Sequence, residues 1–412
     1  MDLIEKLVDA EKLEEFHFLL ELVLILVAVK LAGHLSRKIG QPSVFGELLV
    51  GIVLGPALLG WITVDPDHPG LIIELAEVGV ILLMFLAGLE TDVEEFKKTA
   101  YGSSLVAVGG VIFPLILGFA TGLMFGYDYS TSIFIGTLLV ATSVSISVQT
   151  LRELGKLQTK EGVTILGAAV LDDVLGIIIL SMVVGFAAGS GGGGSVIDIV
   201  LLLAKIVVFF VLIFLTGRYV LPRLFRWASN LMTTEVLLTF GLIAALGFAY
   251  FAEMFGLAGI VGSYFAGLML SLTKYRHELF EKVEVVAFSF FVPVFFVSIG
   301  VRADLSGITA DILFLILILC IVAILTKLIG GGLGAKLAGF NWRSSAGIGA
   351  GMVARGEVGL IVASIGLGRN LIDDELFTVT VIIVLVTTLV TPPMLKMLFG
   401  EKKKSKSTGS SS

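Results

Sequence analysis

Thirteen apolar stretches, most of them close to twenty residues long, recur along the chain with short polar connections, and this recurrence constrains the fold more than any other feature. They run near 17–35, 42–59, 71–89, 101–125, 132–151, 164–186, 196–221, 235–255, 256–272, 283–300, 311–337, 345–367 and 376–399. A bilayer core takes roughly 20 helical residues to cross, so the pattern predicts an all-α polytopic membrane protein with about thirteen transmembrane helices. The composition agrees: 57% of residues are hydrophobic, 15% are charged, and the mean hydropathy is +1.04. That lies far outside the range of soluble domains. The stretch 256–272 is short and almost abuts its predecessor.

Charge in the connections sets an expected orientation. Alternate loops carry Arg37 and Lys38, Lys97 and Lys98, Arg152 with Lys156 and Lys160, Arg218 with Arg223 and Arg226, Lys274 with Arg276 and Lys282, and Lys336 with Arg343. The others hold Asp65, Asp67, Asp128, Asp198 and Glu253, with Arg302 and Arg369 as their few cations. The positive-inside rule then places the N-terminus outside and the C-terminus in the cytoplasm of a bacterial-type inner membrane. The acidic segment 1–15 lacks the basic start of a cleavable signal, so the first stretch is expected to remain a span. The single cysteine, Cys320, excludes disulfides and thiolate metal sites. The net charge of −6 divides between membrane sides and implies no nucleic-acid partner. The glycine run at 189–195 reads as a flexible external loop, and 401–412 as a basic cytoplasmic tail with no room for a nucleotide-binding domain.

Weak self-similarity recurs at one offset of a little over 210 residues. The segment from Met84 to Asp92 resembles that from Phe296 to Asp304. Likewise Val140 to Val144 falls opposite Val353 to Glu357, and Glu47 to Gly51 falls near Ser263 to Gly267. These matches pair spans lying seven apart, so the two copies cross the membrane in opposite senses. The chain accordingly divides into a first repeat at 1–187 (spans 1–6), a linker span at 188–230 and a second repeat at 231–400 (spans 8–13). Such inverted repeats place binding sites near the bilayer midplane in secondary transporters.

The chemistry concentrates at that depth. Asp172 and Asp173 lie together inside an apolar stretch, where one ionised residue costs roughly 3 kcal/mol even on the lenient insertion scale. A cation that binds and leaves would offset that cost. Lys327 sits too far inside span 11 to snorkel, roughly 12 Å from the cytoplasmic end at helical rise. A buried partner is therefore expected, Asp172 or Asp173. Lys30 is near enough to an end to snorkel, whereas Lys205 has no evident partner. Span 5 carries Thr142, Ser143, Ser145 and Ser147, and its repeat mate carries five glycines with Arg355 and Glu357 between Gly347 and Gly359. Both spans are expected to be interrupted near the midplane and to cross. Arg355 and Glu357 are then expected to neutralise half-helix ends rather than to ligate an ion. A small hard cation prefers oxygen ligands and binds carboxylates only when they are deprotonated, so protons and cation would compete for one site. Among the other acids, Glu47, Glu74 and Glu77 are candidates for an ion path, and Glu90 marks a cytoplasmic boundary. No phosphate loop, nucleophile elbow or zinc motif occurs, so an ATP-driven pump, a protease or any other enzyme is not expected, and neither is a cofactor.

Gly167 to Gly176 with its aspartate pair, Ala141 to Val144, Ala323 to Gly331 and Arg355 to Ile361 together resemble the cation:proton antiporter 2 family, and within it the bacterial NapA-type sodium/proton antiporters. The similarity extends over nearly the whole chain. It implies a core domain of spans 4–6 and 11–13, a dimerisation domain of spans 1–3 and 8–10, a homodimer, and an elevator-like movement. It further implies that Asp173 binds the ion and carries the proton, that Asp172 pairs with Lys327, and that the crossing maps to Thr142–Ser143 and to the stretch from Gly347 to Glu357. An aspartate pair with a lysine is the pattern of electrogenic members. The implied activity is exchange of cytoplasmic Na⁺ or Li⁺ for external H⁺. A K⁺/H⁺ or mixed-cation antiporter is the alternative, because Ser145 and Gln149 depart from close sodium-specific members. A channel or a non-transporting sensor on the same fold is the remaining reading.

Overall fold

The computed structural model describes residues 17–62, 70–187, 196–302 and 310–400. The expectations placed on the N-terminal segment, on Asp65 and Asp67, on the glycine run and on the basic tail lie outside these residues. Within them the chain forms α1 (His17–Lys38), α2 (Ser43–Leu54), α3 (Gly70–Glu90), α4 (Val93–Met124), α5 (Tyr129–Val140), α6 (Val144–Glu153) and α7 (Lys160–Ala187). It continues as α8 (Val196–Leu215), a π-helical turn (Thr216–Val220), α9 (Leu221–Ala228), α10 (Val236–Met254), α11 (Gly259–Leu270) and α12 (Arg276–Val286). A second π-helical turn (Ala287–Phe291) leads into α13 (Val292–Val301), followed by α14 (Ala310–Leu337), α15 (Trp342–Gly351), α16 (Glu357–Gly368) and α17 (Asp374–Phe399). Among the described residues, 10 helical stretches are long and apolar enough to cross a membrane, and three shorter apolar helices, Ser43–Leu54, Gly259–Leu270 and Val358–Gly368, accompany them. Together they fall on the thirteen predicted stretches.

Polar side chains start the helices where the loops allow. The Asp92 carboxylate accepts from the backbone N–H groups of Glu94 at 2.8 Å and Glu95 at 3.2 Å, and Asp373 accepts from Leu376 at 2.8 Å. Each satisfies donors that a helix start leaves unpaired. At the start of α5, the Thr131 side chain and the Ser130 and Thr131 backbone bonds hold the Asp128 carboxyl below the usual range.

The helices pack as two sets. In one, α4 and α14 lie along each other with the most extensive contact in the protein, flanked by α5, α7, α15 and α17. In the other, α3 packs on α11 and α13, α2 on α1 and α13, and α10 on α11. Glycines permit the closest approaches. A Cβ at Gly88 would fall on the Tyr264 carbonyl oxygen, and one at Gly267 on that of Phe85. At the α2–α13 contact a Cβ on Gly51 would meet the Val297 carbonyl, and one on Gly300 the Leu48 carbonyl at 2.6 Å. The sequence repeat pairs Gly88 with Gly300 and Gly51 with Gly267. One crossing is therefore the image of the other. In the other helix set, Gly109 of α4 and Gly330 of α14 face each other reciprocally, each blocking a Cβ on its partner with its carbonyl oxygen. Small residues at such crossings let helix backbones touch, which is how membrane helices gain packing energy when water offers no hydrophobic drive.

Candidate functional site

Both predicted interruptions are present. Helix α5 ends at Val140, Ala141 to Ser143 are non-helical, and α6 restarts at Val144. On the other repeat α15 ends at Gly351 and α16 begins at Glu357. The two unwound segments join through their backbones, the Ser143 N–H donating to the Ala354 carbonyl at 2.8 Å. Ser147 strengthens the crossing by donating its hydroxyl to the Gly351 carbonyl at 2.6 Å. The second break is narrower than expected from Gly347 to Glu357. Residues Gly347 to Gly351 remain helical because their missing side chains serve close packing instead: a Cβ on Gly347 would collide with the Phe399 ring, and one on Gly349 with the Leu328 carbonyl.

Arg355 occupies the centre of the crossing, 1% exposed. Its Nη2 donates to the Leu139 carbonyl at 2.7 Å and the Ala323 carbonyl at 3.1 Å, and its Nη1 to the Val353 carbonyl at 3.0 Å. Leu139 lies in the last turn of α5, where unpaired carbonyls leave a partial negative charge. The guanidinium is thus matched to a half-helix end through carbonyls. Thr388 of α17, which sequence reading did not single out, donates its hydroxyl to the Arg355 carbonyl. Glu357 opens α16, and its side chain is outside the described part of the structure.

Beside the crossing lie the charged residues of α7 and α14. Lys327 Nζ is 2.9 Å from Asp172 Oδ1 and 3.1 Å from Oδ2, and both side chains are buried. Of the two partners that the residues left open for Lys327, Asp172 is the one it contacts at hydrogen-bond distance. Asp173, buried at 8% exposure, lines a small cavity together with Asp172, Thr142, Thr137 and Gly176. Its volume is about 40 Å³, which admits a bare monovalent cation with a water or two, since one water needs roughly 10–15 Å³ on this measure. The site is therefore small and mostly apolar in its walls, with two carboxylates and the hydroxyl residues Thr137 and Thr142 among them and the Lys327–Asp172 pair alongside.

A larger cavity of about 510 Å³ adjoins it, sharing Ala258 and Val358 as lining residues and bordered by Glu77, Glu253 and Arg302. It opens along the first half of α3. At the far end of α3 the two helix sets are fastened together instead. Arg152 of α6 pairs with Glu90 at 3.5 Å and with Glu284, and its guanidinium lies 4.4 Å from the Phe288 ring centroid. The adjacent Glu153 accepts from the Ser43 N–H and hydroxyl, both at 2.6 Å, capping α2. Sequence reading counted Arg152 only as a loop cation. Its partners come from α3 and α12, and no spacing in the sequence links them.

Of the remaining acids and lysines, Glu77 borders the larger cavity, Glu74 is exposed, and Glu47 is partly covered. Lys30 reaches the Phe288 carbonyl at 3.4 Å, and Lys205 is exposed on α8.

Comparison with known proteins places these features in a family. The profile described as sodium/hydrogen exchanger, transmembrane, matches residues 23–400. The chain is 50% identical over 390 residues to the Na⁺/H⁺-K⁺ antiporter GerN of Bacillus cereus, covering 95% of this chain and 98% of that protein. It is 44% identical over 376 residues to a Na⁺/H⁺ antiporter of Enterococcus hirae, covering 91% and 96% respectively. Its fold is similar to that of the sodium proton antiporter MjNhaP1 from Methanocaldococcus jannaschii, with a TM-score of 0.68 at 18% identity over 95% of this chain and 99% of that one.

Proposed function

Because the chain belongs to the sodium/hydrogen exchanger transmembrane family, whose members similar to it are secondary transporters and not enzymes, we propose that it exchanges a monovalent cation for protons at Asp173. One observation carries the reading: a carboxylate in a 40 Å³ cavity, next to a second carboxylate already held by a buried lysine. Asp172 and Lys327 form a hydrogen-bonded ion pair, and Asp173 beside them is the carboxylate proposed to take either a proton or a cation. Thr142 adds an oxygen to the same cavity. Proton and cation exclude each other at one carboxylate. If the empty, charged site cannot cross, that exclusion alone couples the two fluxes.

Na⁺, with Li⁺ as a surrogate, is the proposed cation, leaving the cytoplasm as protons enter. K⁺ is the second reading, supported by the relative named as a Na⁺/H⁺-K⁺ antiporter. We read the exchange as electrogenic because Lys327 supplies a second titratable group beside the aspartates. The membrane potential then adds about 2.3 kcal/mol per net charge per 100 mV. The division into a moving core of spans 4–6 and 11–13 and a static, dimer-forming set of spans 1–3 and 8–10 rests on the two packed helix sets. Movement of one against the other would close the 510 Å³ cavity and release the Arg152 and Glu153 contacts. With the loop cations cytoplasmic, that cavity faces outward. The exposed apolar face of α1 is the proposed dimer contact.

The test is purified protein in proteoliposomes under an imposed pH gradient, with Na⁺, Li⁺ and K⁺ added at matched concentrations. Collapse of the gradient by Na⁺ and Li⁺ but not K⁺ supports the first reading, and collapse by K⁺ supports the second. Exchange retained in Asp173→Asn would remove the site assignment. Currents with no proton coupling would point to a channel instead.

A further inference from the structure

A second cavity, of about 570 Å³, lies at the other end of the molecule from the outward opening, between the π-helical turn after α8, the loop following α11 and the start of α4. Four cations line it: Lys97, Arg218, Arg226 and Lys274. Two of them have local neighbours, since Lys97 is 3.6 Å from Glu94 and Lys274 lies 5.1 Å from the Tyr275 ring. Arg218 and Arg226 form neither an ion pair nor a side-chain hydrogen bond among the described residues. Two guanidiniums without carboxylates, converging on one cavity, form a site for an anion, and the planar fork of arginine matches phosphate oxygens in pairs.

The remaining walls identify the kind of anion. Phe214, Met269 and Leu272 line the same cavity. Phe214 is 54% exposed and Leu272 62% exposed, and Phe214 continues an exposed apolar face of α8 through Val200, Val207 and Val211. A soluble phosphate compound has no use for that face, whereas an acyl chain does. The π-helical turn shapes the cavity: Gly217 backs directly onto the Met269 side chain, where any Cβ would collide. This wider turn carries Arg218 at the level where the apolar face ends.

We propose that this cavity binds the headgroup of an anionic phospholipid, its phosphate on Arg218 and Arg226 and one acyl chain along Phe214 and α8. Basic pockets between helices at the cytoplasmic boundary recognise such lipids by charge and position. Lys97 belongs to α4, in one helix set, while Arg226 lies on α9, which packs on α10 and α11 of the other. A lipid held here touches both sets.

Native mass spectrometry of the full chain in mild detergent tests the proposal with three probes: phosphatidylglycerol, phosphatidylcholine and inorganic phosphate. Phosphatidylglycerol is expected to remain bound to the wild type. The double variant Arg218→Gln, Arg226→Gln should bind it roughly thirtyfold more weakly, at the scale at which one basic residue near an anionic surface is worth about fivefold. Arg223→Gln, on the same helix but outside the cavity lining, should leave binding unchanged. Thermal unfolding in lipid-free detergent should be equal for all three proteins, because the substituted side chains are exposed. Equal retention of phosphatidylcholine, equal retention of phosphatidylglycerol by the double variant, or an equal loss in Arg223→Gln overturns the assignment. Displacement of the lipid by millimolar inorganic phosphate overturns it in favour of a soluble anion.

Discussion

Lys327 of α14 and Asp172 of α7 form a two-point contact, 2.9 Å and 3.1 Å from the ammonium nitrogen to the two carboxylate oxygens, with both side chains sealed from solvent. The residues are 155 positions apart in sequence and belong to opposite repeats. Breaking a buried pair leaves its partner charged and uncompensated, at about 3–5 kcal/mol, whereas removing both charges costs far less. Lys327→Gln should therefore lower the melting temperature in detergent strongly. The double variant Asp172→Asn, Lys327→Gln should recover most of the loss, and additive losses in that cycle would show the pair to be energetically independent.

Competition at Asp173 has a kinetic signature. As pH falls into the titration range of the site, the apparent KM for Na⁺ should rise by about tenfold per pH unit while the maximal rate is reached at higher Na⁺. Initial rates in proteoliposomes across a pH series measure this. A maximal rate that falls while KM stays constant would mean that proton and cation occupy different groups.

Arg355 holds three carbonyls of three different segments, those of Leu139, Ala323 and Val353. Arg355→Met would leave these buried acceptors without their donor, at about 1–3 kcal/mol for each unsatisfied group. We expect poor folding yield and a large loss of thermal stability. Arg355→Lys should rescue only part of it, since a point-like ammonium cannot reproduce the planar fork. Full recovery in the lysine variant would show that charge alone matters there.

The fastening at the far end of α3 is testable by hydrogen exchange. Glu153→Gln weakens the cap on α2, so amide exchange at Ser43 and Val44 should rise while α4 and α14 remain protected. Arg152→Gln should raise exchange in α6 and at the end of α12 in the same way. Unchanged protection in both variants would mean that the two helix sets are held together elsewhere.

Gly109 and Gly330 give a packing test. Gly109→Ala places a methyl group on the Gly330 carbonyl, and overpacking of this kind costs about 1–3 kcal/mol. Gly247→Ala, where nothing lies within 4 Å of the added carbon, is the control and should leave the melting temperature unchanged.

Much of this architecture was legible along the chain. Span length and polarity follow from bilayer thickness, and the aspartates stand out because an ionised group in an apolar stretch needs a compensating partner. The break in span 5 was readable only through its repeat mate, whose glycines with Arg355 and Glu357 are a poor composition for a continuous helix at that depth, because hydroxyl residues alone also suit ordinary helix packing. The second break was read too broadly, because glycine has two uses: it can unwind a helix, or it can let another chain touch it, as Gly347 and Gly349 do. Arg152, Glu153 and Thr388 gave no signal, since each acts on a residue of a distant segment.

The sequence by itself determined that the protein is helical, that it spans a membrane many times in two inverted copies, and that Asp172, Asp173 and Lys327 are the anomalous charges at depth. These are properties of local composition and period, which a linear reading measures directly. Only the tertiary structure decided that Lys327 contacts Asp172 at hydrogen-bond distance, that Arg355 serves carbonyls rather than a carboxylate, and that Asp173 borders a cavity. Such choices depend on which atoms come within about 3 Å, and adjacent residues along a helix point to different sides. No rule of spacing could separate Asp172 from Asp173 until α14 was packed against them.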